Sequence, residues 1–128
     1  MSYDLCARGD ARFSARVPRS RAADAVERVR HVVPNGSGFL FRRSDSTWME
    51  IDLELVDEEG DVAGALGSER DEVSCISFHV PYAFVESLDA CRAAALEVAG
   101  ALGWELFDPQ TEQVLTAEPG RRPWWRLW

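Results

Sequence analysis

Lysine is absent from this chain: all fourteen of its basic residues are arginine. Together with the many alanines, that reads as a codon-composition effect rather than a device for binding. Histidine is scarce, leaving only His31 and His79 for imidazole chemistry. His31 falls where a helix is expected to end and reads as a solvated terminal residue. The cysteines are Cys6, Cys75 and Cys91, odd in number and far apart. Neither a disulfide framework nor a zinc knuckle follows, and three small, reduced, mostly buried side chains are expected. No apolar run is long enough to span a bilayer, since the longest, Ala93 to Leu102, is broken by Glu97. The N-terminus lacks the basic, apolar and cleavage regions of a signal peptide. A cytoplasmic protein with no membrane partner is therefore expected.

Chemical signatures are missing as well. Gly36-Ser37-Gly38 is too short for a phosphate-binding loop and leads into a strand rather than a helix. No nucleophile elbow or oxyanion loop accompanies Ser77, Cys75 or His79. Asp57-Glu58-Glu59-Gly60-Asp61 is acidic, but it lacks the alternating ligands and closing Glu of a calcium loop. No catalytic residue, metal or cofactor is indicated.

What is present is a chain of 128 residues with 46% hydrophobic and 28% charged residues, a formal net charge of -8, and an uneven charge distribution. Residues 1–43 hold nine Arg against four acids, while 44–118 hold eighteen acids against Arg70 and Arg92. The excess of acid disfavours nucleic acid, whose phosphates need clustered cations, and suits a basic protein partner. One domain over 1–118 is expected, followed by an Arg/Trp-rich tail over 119–128. Trp124, Trp125 and Trp128 of that tail either cover part of the body or anchor a partner, since Trp and Arg dominate interface hot spots.

The most informative stretch is Trp48 to Val56, Trp-Met-Glu-Ile-Asp-Leu-Glu-Leu-Val. Its alternation is that of a half-buried strand, with Met49, Ile51, Leu53 and Leu55 facing a core. Glu50, Asp52 and Glu54 then form a row on the other face, each about 7 Å from the next. Val73 to Val80 alternates too, with Ile76, Phe78 and Val80 on one side and Cys75, Ser77 and His79 on the other. Antiparallel pairing in a symmetric register places Glu54 by Cys75, Asp52 by Ser77 and Glu50 by His79. A slip by two keeps the faces and moves His79 to Asp52, whereas a slip by one would bury the charges.

The remaining elements follow in order. Tyr3 to Val17 reads as a bent strand or hairpin at a sheet edge, turning at Gly9-Asp10. Ser20 is placed to cap a helix that Pro18 introduces, with Ala22, Val26, Val29 and Val33 on one stripe, stopped by Pro34-Asn35-Gly36. Phe39 to Arg43 pairs with the acidic strand through a turn at 44–46, which puts Arg42 beside Trp48. Residues 57–72 read as a loop. Phe84 to Leu102 is the main helix, its stripe formed by Leu88, Cys91, Ala95, Val98 and Leu102 and its C-cap by Gly103. Trp104 to Phe107 is a strand, Asp108-Pro109-Gln110-Thr111 a type I turn, and Gln113 to Thr116 a last strand.

Trp48-Met49-Glu50-Ile51-Asp52, Phe78-His79-Val80-Pro81-Tyr82 and the closing Ala101-Leu102-Gly103-Trp104-Glu105-Leu106-Phe107-Asp108-Pro109-Gln110-Thr111 are similar to small bacterial α+β proteins, some of which resemble toxin-immunity proteins. The likeness spans about residues 38 to 116 and leaves out the tail. It implies a binding role and carries over no catalytic residue. The element order implies an α+β fold, a ferredoxin-like variant with two helices on one face of a mostly antiparallel sheet. The far face would carry Glu50, Asp52, Glu54, Ser77 and His79, with Arg42 and Trp48 alongside, as a surface for a basic protein such as a toxin. Two alternatives stand beside it: a small-ligand or enzyme site around His79 and the carboxylates, and a homodimer joined through the open sheet or the Trp tail.

Overall fold

Alternating strands and two amphipathic helices assemble into an α+β fold. The computed structural model describes residues 2–44, 47–56, 72–81 and 88–115. The strands are β1 (Ser2–Arg8), β2 (Val17–Pro18), β3 (Val32–Asn35), β4 (Gly38–Ser44), β5 (Thr47–Glu54), β6 (Glu72–Val73), β7 (Cys75–Pro81), β8 (Glu105–Asp108) and β9 (Gln113–Val114). The helices are α1 (Arg19–Glu27) and α2 (Leu88–Leu102). Seven strands form one sheet in the order β3-β4-β5-β7-β1-β8-β9, and β2 pairs with β6 in a small ribbon. Every pairing is antiparallel.

The middle of the sheet, β8-β1-β7-β5, has the split arrangement of a ferredoxin-like fold. β1 lies between the strand that precedes α2 and the strand that follows it. The variation is the β3–β4 hairpin, which extends the sheet beyond β5, and the short β9 at the other edge. Leu5, Ala7, Met49, Ile51, Leu53, Ile76, Phe78, Val80 and Leu106 project from one face into a core shared with both helices. From α1 come Ala22, Ala25 and Val26, and from α2 come Cys91, Ala95, Val98 and Leu102, all buried. The small residues let the helix axes approach the sheet closely.

α2 ends as its sequence predicts. Gly103 adopts φ +68, the Gly103 N–H donates to the Gly100 carbonyl at 3.2 Å, and the Trp104 N–H reaches back to Ala99 at 2.9 Å. That double bond is the Schellman motif, and buried Trp104 closes it against the core.

Five expectations are corrected. β1 is not an edge but a central strand, because both of its sides are taken, by β7 and β8. Residues 13–16 belong to no strand. α1 starts at Arg19 with Pro18 as its N-cap and no side-chain cap, so Ser20 lies inside it. It also stops at Glu27, short of Val33. His31 turns the chain at φ 71 into β3, where Val32 and Val33 do what β-branched residues do well. Val33 is exposed there, and Pro34 is tolerated because β3 is an edge. A tight Gly36-Ser37 loop then leads into β4, with Gly36 at φ +61. Finally, Val73 to Val80 is two strands broken at Ser74. The buried Ser74 hydroxyl accepts from the Val56 N–H at 2.7 Å and donates to the Val56 carbonyl at 2.9 Å, replacing ladder bonds. The loop 57–71, the start of the main helix at 84–87, and the tail with Trp124, Trp125 and Trp128 lie outside the described residues.

One polar cluster sits between helix and sheet. Tyr3 donates its hydroxyl hydrogen to Asp108, and Arg92 of α2 donates to the Tyr3 oxygen at 2.5 Å. Asp108 is almost fully buried, and its Oδ1 also accepts from the Gln110 backbone at 2.9 Å and side chain at 2.6 Å. Burial alone would raise the Asp108 pKa. The hydrogen bonds from Tyr3, Gln110 and Thr111 outweigh it and hold the carboxyl below its ordinary value. A folded-state pKa below the unfolded one stabilises above the unfolded value and is lost as pH falls through the folded value. Asp108→Asn should therefore cost about 1.5–3 kcal/mol at neutral pH. The gap from wild type should narrow in denaturant titrations below about pH 4.

Candidate partner-binding face

The pairing of β5 with β7 builds this face. The register is Glu50 with His79, Asp52 with Ser77 and Glu54 with Cys75, which is the symmetric one expected from parity. Both apolar rows turn toward the helices, and both polar rows share the other side. β1 adds a third polar row through Asp4 opposite His79 and Cys6 opposite Ser77.

Together these strands line an open depression of ≈ 410 Å³. Asp4, Cys6, Glu50, Asp52, Glu54, Ser77 and His79 border it, and Pro109 of the β8–β9 turn forms part of the rim. Leu5 and Phe78 also border it, although their side chains are buried on the helix side, so their backbone makes the floor. Arg42 and Trp48 face each other across β4 and β5 on the same side, one strand position beyond Glu50 along the acidic row. The five residues expected at the centre are thus brought together, with Arg42 and Trp48 flanking them.

Asp4 was not foreseen. Its weakly alternating strand shows which face it belongs to, but nothing local shows that residue 4 reaches residue 79. Asp4 Oδ1 lies 2.8 Å from His79 Nδ1. An acceptor carboxylate requires the proton on Nδ1, which leaves Nε2 as the ring's other polar atom. Both side chains are about half exposed.

The face is electrostatically one-sided. Carboxylates about 7 Å apart repel by about 0.6 kcal/mol per pair in bulk water and by more near protein. Arg8 shares this face but is engaged elsewhere: its Nε lies 2.9 Å from Glu105 Oε1, and its guanidinium covers the Phe107 ring at 4.0 Å. Among the described residues lining the depression, His79 is the only group that can carry positive charge. Burial raises the pKa of Glu54, and the Asp52 charge adds to the rise, against a hydrogen bond from Ser77. Among the described residues, no three His, Cys, Asp or Glu side chains are placed to hold a metal ion.

Gly38 keeps this arrangement open. It is buried beside β5, and a Cβ there would meet the Ile51 carbonyl and Asp52 Oδ1, each at 2.5 Å. Gly38→Ala should destabilise by about 1–3 kcal/mol in denaturant unfolding, because the obstacle includes backbone that cannot rotate away.

No protein-family model matches this chain, and no curated protein matches its sequence. The case for function therefore rests on the face itself. No helix among the described residues is long and apolar enough to cross a membrane.

A raised pKa means that Glu54 disfavours the folded state once pH exceeds its unfolded value, and that this penalty vanishes in acid. Glu54→Gln should raise the unfolding midpoint at pH 7, by less than about 1 kcal/mol given its partial exposure. At pH 3 to 4, roughly at or below the ordinary Glu pKa, the two proteins should converge.

Proposed function

We propose that this chain is a non-enzymatic protein-binding domain, of the immunity-inhibitor kind, that presents its acidic sheet face to a basic protein. One observation carries the reading: Asp4, Glu50, Asp52 and Glu54 gather around one depression on a sheet face that no described helix covers. Bringing like charges together costs folding energy, and a cationic partner turns that cost into affinity and fast association. Arg42 and Trp48 are residue types that anchor interfaces, and they flank the charged centre. The reading places the chain in the cytoplasm, where structural disulfides are rare, in keeping with its three free cysteines.

A second reading is favoured by the depression's size, which falls within the range of small-ligand sites. It would accept a small cation near His79, or support acid–base chemistry there. The open, carboxylate-rimmed wall favours a protein, because small-ligand pockets enclose most of their occupant. Ser77 and Cys75 are two apart on one strand and point the same way, and their Sγ···Oγ separation of 3.9 Å makes no nucleophile–base pair. A homodimer through the open face is disfavoured by the repulsion of two like-charged surfaces.

Affinity capture from the native host, followed by mass spectrometry and binding with purified components, supplies the partner. The variant Glu50→Lys with Asp52→Lys should keep its circular dichroism spectrum and lose roughly 100-fold or more in affinity. Wild-type binding should weaken as salt rises. Unchanged affinity in the folded double variant overturns the reading. Solution mass of the full chain against one ending at Pro119 tests the homodimer.

A further inference from the structure

Two of the three cysteines meet on the same open face. Cys6 lies in β1 and Cys75 in β7, and the register pairs Cys6 with Ser77 and Arg8 with Cys75, so the cysteines are diagonal neighbours. Their sulfurs are 2.7 Å apart, well inside the van der Waals separation of two sulfur atoms. A covalent S–S bond is about 2.05 Å long, so a shift of under about 1 Å closes it. Diagonal Cα atoms in a regular sheet lie about 7–8 Å apart. The sulfur contact shows that the two side chains lean toward each other across this diagonal.

We propose that Cys6 and Cys75 form a reversible thiol–disulfide site, oxidised by small cationic disulfides that the acidic depression attracts. The two sulfurs have different roles. Cys6 is half-buried and borders the depression, whereas Cys75 is 3% exposed. An external disulfide therefore reaches Cys6 first. The two sulfurs share a hydrogen bond in which either can donate, and that contact, with burial, pushes the Cys75 thiol up, so the Cys6 sulfur is the first to react. Cys91 faces the core, fully buried, and burial pushes it up to about 11. It lies on helix α2 in the core, away from the depression, and among the described residues has no cysteine sulfur beside it.

The reaction balances without other reagents. The Cys6 sulfur attacks one sulfur of R–S–S–R, that S–S bond breaks, and the first thiolate leaves and takes the Cys6 proton. The Cys75 sulfur then attacks Cys6, breaks the mixed disulfide and expels the second thiolate, which takes the Cys75 proton. Two protein thiols are oxidised, and one external disulfide is reduced to two thiols. Asp4, Asp52 and Glu54 stand around the entry, so their field disfavours anionic disulfides and concentrates cationic ones. This inference stands apart from the binding reading, since it requires no protein partner.

The test treats the reduced full chain with cystamine, quenches in acid, alkylates the denatured protein and maps its peptides. The expected product carries a Cys6–Cys75 bridge and one alkylated cysteine, Cys91, instead of three. Dithiothreitol should restore all three. Cys75→Ser should stop at a cysteamine adduct on Cys6. Cystamine should react roughly 10-fold faster than anionic oxidised glutathione, with the difference shrinking in high salt. Three free thiols after treatment, a bridge through Cys91, or a bridge between two chains overturns the site. Equal rates for the two disulfides overturn the role of the acidic entry. The wild-type peptide map decides the site even where a serine variant fails to fold.

Discussion

Everything on the open face depends on the register of β5 against β7. Side chains alternate along a strand, so a slip of one residue would send Glu50, Asp52 and Glu54 into the helices and expose Ile51 and Leu53. The apolar rows forbid that slip, because burying three carboxylates without partners costs far more than a domain's net stability. Hydrophobic burial on one side thus locks a charge pattern on the other. The acidic row is held where it is by residues that never touch it.

The second constraint is the insertion of β1. An N-terminal strand occupies the middle of the sheet, so its contacts run to residues 75–81 on one side and 105–107 on the other. Such distant pairings must wait until the chain between them has been organised, which makes β1 a late and entropically costly strand to place. The Tyr3–Asp108–Arg92 cluster joins its start to β8 and α2, across 105 and 89 residues of sequence. β1 carries both residues that complete the face: Asp4 holds the His79 ring, and Cys6 meets Cys75.

What could be read from the sequence divides along the same line. The β5–β7 register was legible because both strands alternate strongly, so parity leaves few choices. The stripe on α2 and its Gly103 cap were legible because each is decided within a few residues. The place of β1 was not, since weak alternation in Tyr3 to Ala7 names no partner. Val33 misled for a different reason. Its four-residue step from Val29 continues a helical stripe, yet Val32-Val33-Pro34 suits an edge strand better, and the left-handed turn at His31 lies between them. Ser74 falls on the parity of Ile76, Phe78 and Val80, and nothing local shows that its hydroxyl replaces a backbone partner there and breaks the strand.

The carboxylates of β5 project in parallel from one strand and do not converge on one atom. A general base must lie within hydrogen-bond reach of the proton it takes, while residues two apart on one strand project in parallel. Contacts that do converge here run across strands: Asp4 to His79, and Cys6 to Cys75. The first orients a ring and the second sets up a thiol exchange, and both stand on the same pair, β1 and β7. A covalent link between those strands would fix the floor beneath the carboxylates without altering their number. In the proposed reading, a basic partner would meet a surface whose floor is fixed, and preorganisation of that kind acts on affinity through the entropy of binding.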